Sequence, residues 1–334
     1  MLVQSMTSVP TADIDATLSQ IRRLEEAGCE LIRCGIPDME SARALGKIIQ
    51  ATKLPICADI HFDWRLALEA LGQGVHKLRI NPGNIGDPRR VREIALACQD
   101  RGVPIRVGVN GGSLEKRLIK KHRGVTPEAL VESAMGHLKL LEDAGFSHVI
   151  VSIKASSVPL TVEACRLFSQ VSHVPLHLGI TEAGMPGYGR VKSAVGIGIL
   201  LYEGIGDTIR VSLTGDPAEE VRCCWDILKA LDIRRRGPEI ISCPTCARCC
   251  IDVESIAGSL ERRLRGVSHP IMVAVMGCAV NGPGEAREAH VGIAGGKGGG
   301  VLFRCGEVVR VLRNESPEEA LMEEIHRITA NDPL

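Results

Sequence analysis

The sequence predicts a parallel (β/α)8 barrel followed by a separate, cysteine-bearing domain. Three observations predict it. Eight short β-rich runs recur at regular intervals through the first two-thirds of the 334 residues. Helical patterns lie between them, and several end in a glycine just before the next strand, as a helix C-cap requires. Past "ALDIRRRGPEI" this alternation stops, which places a boundary near residues 235–240 and divides the chain into 1–237 and 238–334. Strand and helix repeated eight times are the signature of such a barrel.

The strands are expected at 2–6 (LVQSM), 31–36 (LIRCGI), 55–60 (PICADI) and 77–81 (KLRIN). Four more are expected at 105–110 (IRVGVN), 148–154 (HVIVSIK), 175–180 (PLHLGI) and 208–213 (TIRVSL). The first begins almost at Met1, so a hairpin across the barrel floor is expected to be missing or very short. Between the strands run helical patterns such as "DATLSQIRRLEEAGC", "DWRLALEALGQGV" and "PEALVESAMGHLKLLEDAGF".

Composition narrows the function. Formal net charge is zero and aromatic residues make up 2% of the chain. That argues against a nucleic-acid binder, which needs a basic balance and stacking platforms. No apolar run approaches the roughly 18–20 residues of a spanning helix, and the N-terminus lacks the pattern of a secretory signal. A soluble, cytoplasmic protein is expected, one without a disulfide framework among its 13 cysteines. Cys29, Cys34, Cys57, Cys98 and Cys165 sit singly among apolar residues and read as small core side chains.

Strand ends carry the chemistry. Residues two apart on a strand share a face, and the C-terminal ends show Ser5/Thr7, Asp59/His61, Arg79/Asn81, Arg106/Asn110, Ser152/Lys154, His177/Thr181 and Arg210/Ser212. Arg33 holds the matching place on the second strand. One such pair is ordinary strand-to-loop polarity; polar pairs on nearly every strand are not. Charged groups pointing into a barrel are costly unless partners, water or ligand solvate them, and active sites of such barrels lie at this mouth. Arginine forks match phosphate oxygens. Arg33, Arg79, Arg106, Lys154 and Arg210, with Asp59 as the main acid, therefore point to a small, strongly anionic substrate.

The second domain opens on "ISCPTCARCC", with Cys243, Cys246, Cys249 and Cys250, and continues to "VMGCAVNGPGEAREAHVGIAGGKGGG", with Cys278 and Glu285. Three metal sites are open on spacing: zinc on four thiolates, a ferredoxin-like cluster on Cys243, Cys246, Cys249 and a fourth cysteine, or a cluster on three thiolates and Glu285. The glycine-rich run 292–300 lacks the strand–loop–helix context of a phosphate loop and reads as a hairpin turn.

The segments "VQSMT", "ADIHFD", "HKLRINPGNIGD", "GVNGGSL", "HLGITEAG", "KSAVGIG", "GIGDTIRVSLTGDP", "ISCPTC" and "MGCAVNGPGEAREA" occur in this order. Together they resemble the 4-hydroxy-3-methylbut-2-enyl diphosphate synthase family of the non-mevalonate isoprenoid pathway, from Leu2 to about Ile325. The resemblance implies a barrel followed by a small α+β domain holding a 4Fe-4S cluster on Cys243, Cys246, Cys278 and Glu285, with Cys249 and Cys250 outside the set. It implies reductive ring opening and dehydration of 2-C-methyl-D-erythritol 2,4-cyclodiphosphate, with Glu285 as a displaceable ligand and proton-transfer group. The diphosphate is expected against Arg33, Arg79, Asn81, Arg106, Asn110, Lys154, Arg210 and Ser212. Lys192, expected to open the helix after the seventh strand, and Arg236 and Arg248, flanking the cysteine segment, are expected to join them. Asp59, His61 and Glu182 are candidate proton handlers.

The resemblance also implies a homodimer in which the cluster domain of one subunit caps the barrel of its partner. No nicotinamide or flavin fingerprint is present, so electrons are expected from flavodoxin or ferredoxin. Two alternatives remain at this point: a non-redox sugar-phosphate lyase with structural zinc, and an iron–sulfur sensor, for which no helix-turn-helix with a basic face is found.

Overall fold

The computed structural model describes residues 1–278, 284, 286–296 and 299–331. The chain divides into two units, Met1–Arg234 and Arg235–Leu334. In the first, strands β1 (Leu2–Met6), β2 (Leu31–Gly35), β3 (Ile56–Asp59), β4 (Lys77–Ile80), β5 (Ile105–Asn110), β6 (Val149–Lys154), β7 (His177–Leu178) and β8 (Thr208–Ile209) are all parallel, in the order β6-β5-β4-β3-β2-β1-β8-β7. A parallel bridge between Val151 and Leu176 joins the two ends and closes the ring. All eight expected strands are present. β7 and β8 are shorter than expected because pairing runs only one bond further, from Arg210 N to Leu178 O, before the chain turns away.

Local chemistry sets the helices between the strands. Asp13, Asp38, Asp63, Asp87, Thr126, Ser157 and Asp216 each accept a backbone N–H of the first turn, the role of an N-cap. At the other end, Gly102 adopts φ 66°, a conformation that costs a side chain but not glycine, and its N–H returns to the carbonyls of Cys98 and Gln99. The apolar core lies between strands and helices, with Ile32, Ile56, Leu78, Ile105, Val107, Val151 and Ile153 buried there. Cys29, Cys34, Cys57, Cys98 and Cys165 are buried as expected, and so are Cys223 and Cys224. Burial pushes the Cys34, Cys98 and Cys165 thiols up to about 12, which makes them inert.

The strand register aligns the other face. In parallel ladders, paired residues project to the same side. Arg33 pairs with Cys57 and Cys57 with Lys77; Asp59 pairs with Arg79 and Arg79 with Arg106; Asn110 pairs with Lys154. The polar residues of five strands thus form connected rows inside the ring. β1 corrects one expectation: its inward residues are Gln4 and Met6, the latter paired with Arg33. Ser5 instead donates to Glu220 on the helix Pro217–Ala230, and Thr7 to the Arg33 carbonyl.

The second unit is a five-stranded sheet ordered β13-β12-β11-β10-β9. β9 (Glu239–Ser242), β10 (Met272–Met276) and β11 (Val291–Gly296) are parallel. β12 (Gly299–Arg304) and β13 (Glu307–Leu312) continue it antiparallel. Helices Val253–Arg263 and Pro317–Asn331 supply Val253, Ile256, Leu260, Leu321 and Ile325 to a core with Val273, Val275, Ile293 and Leu302. The glycine-rich run is a hairpin, with Gly296 paired to Gly299. Cys305 and Gly306, at φ 48° and 80°, make the next two-residue turn, whose positive φ values suit the twist of the strands.

Candidate active site

The mouth of the barrel centres on Asp59, which is only 3% exposed. Arg79 Nη1 lies 3.0 Å from its Oδ1, with Arg33 Nε at 3.6 Å and His61 Nε2 at 3.3 Å from Oδ2. Burial alone would raise the carboxyl pKa; Arg33, then the His61 hydrogen bond and Arg79, outweigh it and hold Asp59 well below the usual carboxylate range. Asp59 is therefore a fixed anion that orders two guanidinium groups, while His61 is half-exposed above it.

Deeper in, cations dominate. Burial, then the charges of Arg106 and Arg210, push the Lys154 ammonium well down. Lys77, two residues before Arg79 on the same face, is pushed down to about 8, first by burial. Burial and then the Arg33 charge also disfavour the cation of Arg106, which as a guanidinium stays protonated. His177, whose Nδ1 lies 2.8 Å from Thr208 Oγ1, is held neutral by burial and then by Lys154. Arg106 Nε, His177 Nε2 and both amide atoms of Gln4 are buried without a hydrogen-bond partner among the described residues. A hydrated anion satisfies such groups; an apolar ligand does not.

Two glycines make room for these bases. A Cβ on Gly108 would lie 2.8 Å from Arg79 Nε and Nη2. One on Gly179 would lie 2.4 Å from the Arg210 carbonyl and 2.7 Å from Lys154 Nζ. Arg210 is gripped by Glu220. Lys77, Gly108, Gly179 and Glu220 escape a strand-end reading, although Lys77 carries a signal in its two-residue offset from Arg79.

The remaining expected residues are placed less centrally. Asn81 is buried and caps the short helix Pro82–Ile85, its Oδ1 accepting from Gly83 N at 3.0 Å. Asn110 is half-buried at the end of β5, and Ser212 is half-buried three residues past β8. Glu182 is exposed in the turn after β7 with φ 52°. Lys192 does not open its helix: the helix runs Pro186–Tyr202, because Pro186 supplies a first-turn proline well before it. Arg234 is structural, paired to Glu30 at 2.8 Å and stacked 4.8 Å from the Trp225 ring.

In the second unit Arg236 is half-buried and Arg248 exposed. Cys243 and Cys278 leave the C-terminal ends of adjacent strands β9 and β10. Gly277 N donates to Cys243 Sγ at 3.2 Å. The segment after Cys246 folds back through bonds from Cys249 N to Cys246 O and from Cys250 N to Gly277 O. Cys249 Sγ donates to Ile251 O at 3.1 Å. A Cβ on Gly277 would lie 2.3 Å from Cys249 Sγ and 3.2 Å from Cys243 Sγ, so both sulfurs flank one point. Glu285 lies outside the described residues. Among the described residues no group of three His, Cys, Asp or Glu side chains is arranged to hold a metal ion. The donors nevertheless suit iron–sulfur chemistry: Cys243, Cys246 and Cys278 are half-buried or exposed, unlike the seven buried thiols of the barrel, and a backbone N–H is aimed at the Cys243 sulfur.

Two family models match this chain. The GcpE TIM-barrel domain model matches residues 1–225, and the GcpE protein C-terminal domain model matches 239–327. A 4-hydroxy-3-methylbut-2-en-1-yl diphosphate synthase (flavodoxin) of Geobacter sulfurreducens is 55% identical over 328 residues, covering 98% of this chain and 93% of that one. The protein of the same name from Clostridium acetobutylicum is 53% identical, covering 97% and 93%. Among solved structures, a Clostridium difficile dihydropteroate synthase superposes with a TM-score of 0.50 at 13% identity, over 70% of this chain and 95% of its own, a likeness of fold alone.

Proposed function

This chain belongs to the GcpE family, and we propose that its barrel binds 2-C-methyl-D-erythritol 2,4-cyclodiphosphate for reduction to (E)-4-hydroxy-3-methylbut-2-enyl diphosphate. The reaction takes up two electrons and two protons; a ring C–O bond breaks, and one hydroxyl leaves as water. The observation that carries this reading is the set of bases, Arg33, Arg79, Arg106, Lys154 and Arg210, gathered around the buried carboxylate Asp59. Such a set suits a substrate bearing two phosphoryl groups and little else.

The residues divide the work. Arg33 and Arg79, held by Asp59, and Arg106 and Lys154 below them grip the phosphoryl oxygens. Asn81, Asn110 and Ser212 supply neutral hydrogen bonds at the rim, with Lys192, Arg236 and Arg248 as further cations of the same reading. His61 and Glu182, both at the mouth, are the proton handlers; Asp59, held ionised, serves by positioning. Cys243, Cys246, Cys278 and Glu285 would hold a 4Fe-4S cluster. When bound, that group supplies the two electrons, delivered by a flavodoxin-type carrier.

A homodimer belongs to the same reading. The helix Pro186–Tyr202 exposes an apolar stripe, with Tyr188, Val191, Val195 and Tyr202 at 74%, 58%, 49% and 85% exposure, and Met185 before it at 66%. A contiguous stripe of this kind marks an interaction surface. No helix among the described residues is long and apolar enough to cross a membrane.

The test is the iron, acid-labile sulfide and zinc content of anaerobically purified protein, for wild type, Cys249→Ser and Cys278→Ser. About four iron and four sulfide per chain, kept in Cys249→Ser and lost in Cys278→Ser, is expected, followed by turnover of the cyclic diphosphate with a chemical reductant. Zinc without sulfide, or a cluster lost with Cys249, overturns the ligand assignment.

A further inference from the structure

One buried carboxylate beside the mouth is committed to a single phosphate-site arginine. Glu220, 3% exposed, sits in the first turn of the helix Pro217–Ala230. It accepts from Arg210 Nε at 3.2 Å and Nη2 at 3.1 Å, from Leu213 N at 3.1 Å and from Ser5 Oγ at 2.9 Å. We infer that Glu220 is a positioning residue for substrate recognition, locking Arg210 and the backbone beside Ser212 into one anion-binding element. The inference rests on the reading of the mouth as a cyclic-diphosphate site.

Three physical points carry it. First, a guanidinium gripped through Nε and one Nη still has donors on its remaining edge, so the carboxylate fixes direction without occupying the whole fork. Second, Glu220 is the counter-charge of Arg210: burial and then the Arg33 charge disfavour the cation, and Glu220 offsets them in part. Third, the same carboxylate captures Leu213 N, so the side chain of Arg210 and the peptide following Ser212 move together. The Ser5 hydroxyl, from the opposite end of the unit's sequence, completes the acceptor's coordination and ties it to β1.

The adjacent Glu219 is the built-in control. It lies on the same helical turn but pairs with Arg190 and Arg222, side chains with 41% and 37% exposure, an arrangement of small energetic weight.

The experiment is a double-mutant cycle on the cluster-loaded enzyme, with the cyclic diphosphate as substrate: Glu220→Gln, Arg210→Ala and the double variant, with Glu219→Gln alongside. Glutamine keeps the shape and an acceptor oxygen but loses the charge. KM is expected to rise about tenfold in Glu220→Gln, as for loss of one charge-assisted interaction, with kcat changed less than about threefold. No further rise is expected when the same change is made in Arg210→Ala, and none in Glu219→Gln. Ser5→Ala removes one neutral donor and guards against misfolding of the first variant; its KM is expected to rise about threefold, again only while Arg210 is present. Effects that add in the Arg210→Ala background, or a KM unchanged in both Glu220→Gln and Ser5→Ala, overturn the assignment. Failure of the functional reading shows separately, as absence of turnover in wild type and Glu219→Gln.

Discussion

Replacing Asp59 by asparagine isolates the electrostatic core of the mouth. The substitution keeps size and shape but leaves two guanidinium groups, Arg33 at 16% and Arg79 at 7% side-chain exposure, without their counter-charge. At an effective dielectric constant of about 20, one unit pair at 4 Å is worth about 4 kcal/mol, and breaking a buried pair costs about 3–5 kcal/mol. A loss of that size should lower the barrel's thermal midpoint by about 10 °C. The sign with pH follows from the direction of the shift. Asp59 is held ionised below its ordinary range, so its stabilisation is complete above the unfolded carboxylate pKa of about 3.9 and is lost as pH falls through the lower folded value. The gap between wild type and Asp59→Asn should be constant from pH 7 down to about pH 5 and close only in stronger acid. Thermal melts followed by circular dichroism across that range, with and without added pyrophosphate, make the assay. Pyrophosphate should stabilise the variant more than wild type, because the competing carboxylate is gone. A variant melting within about 2 °C of wild type at pH 7 would refute the reasoning, since no buried counter-charge would then have been removed.

The second unit and the helix stripe give two further expectations. Gly277→Ala places a methyl group 2.3 Å from Cys249 Sγ and 3.2 Å from Cys243 Sγ, so iron retention should fall severalfold while far-ultraviolet circular dichroism stays unchanged; full iron content would show the sulfurs free to move aside. Val191→Lys with Val195→Glu should shift the sedimentation coefficient to that of a monomer without lowering the thermal midpoint, whereas an unchanged dimer would place the subunit interface elsewhere.

Most of the fold was legible because its signals are local. Strand–helix alternation and C-cap glycines placed all eight strands within a few residues. What failed was what distant partners decide. In "LVQSM", Gln4 and Ser5 are both polar, and nothing nearby says which faces inward. The answer lies with Glu220, 215 residues away, which takes the Ser5 hydroxyl. The same holds for β8, whose continuation "RVSL" reads as strand but leaves the ladder after the bond from Arg210 N to Leu178 O, its arginine side chain paired with Glu220. Lys192 was misplaced for a milder reason: "GMPGYGRVK" carries three glycines, which mask a helix that Pro186 has already begun.

The candidate site was legible in its charges and opaque in its support. Arg33, Arg79 and Arg106 lie where the register aligns them, because period-two spacing determines which residues share a face; Arg210, one residue past β8, is held instead by Glu220. The groups that hold those arginines were not visible, since a glycine at 108 or 179 is meaningful only against the side chain that fills its space. Their combined effect explains how so many cations coexist. Among the described residues, Arg33, Lys77, Arg79, Arg106, Lys154 and Arg210 have two buried carboxylates in this unit, Asp59 and Glu220. A cyclic diphosphate carrying two negative charges cannot neutralise that excess. The arginines cannot shed protons near neutral pH, but the lysines can, and burial pushes Lys77 down to about 8 and Lys154 well below its ordinary range. On the proposed reading, the barrel interior combines fixed arginine charges, which would orient phosphoryl oxygens, with lysine charges that a bound anion would restore. That division of labour lets the mouth attract an anion strongly while reducing its self-repulsion when empty.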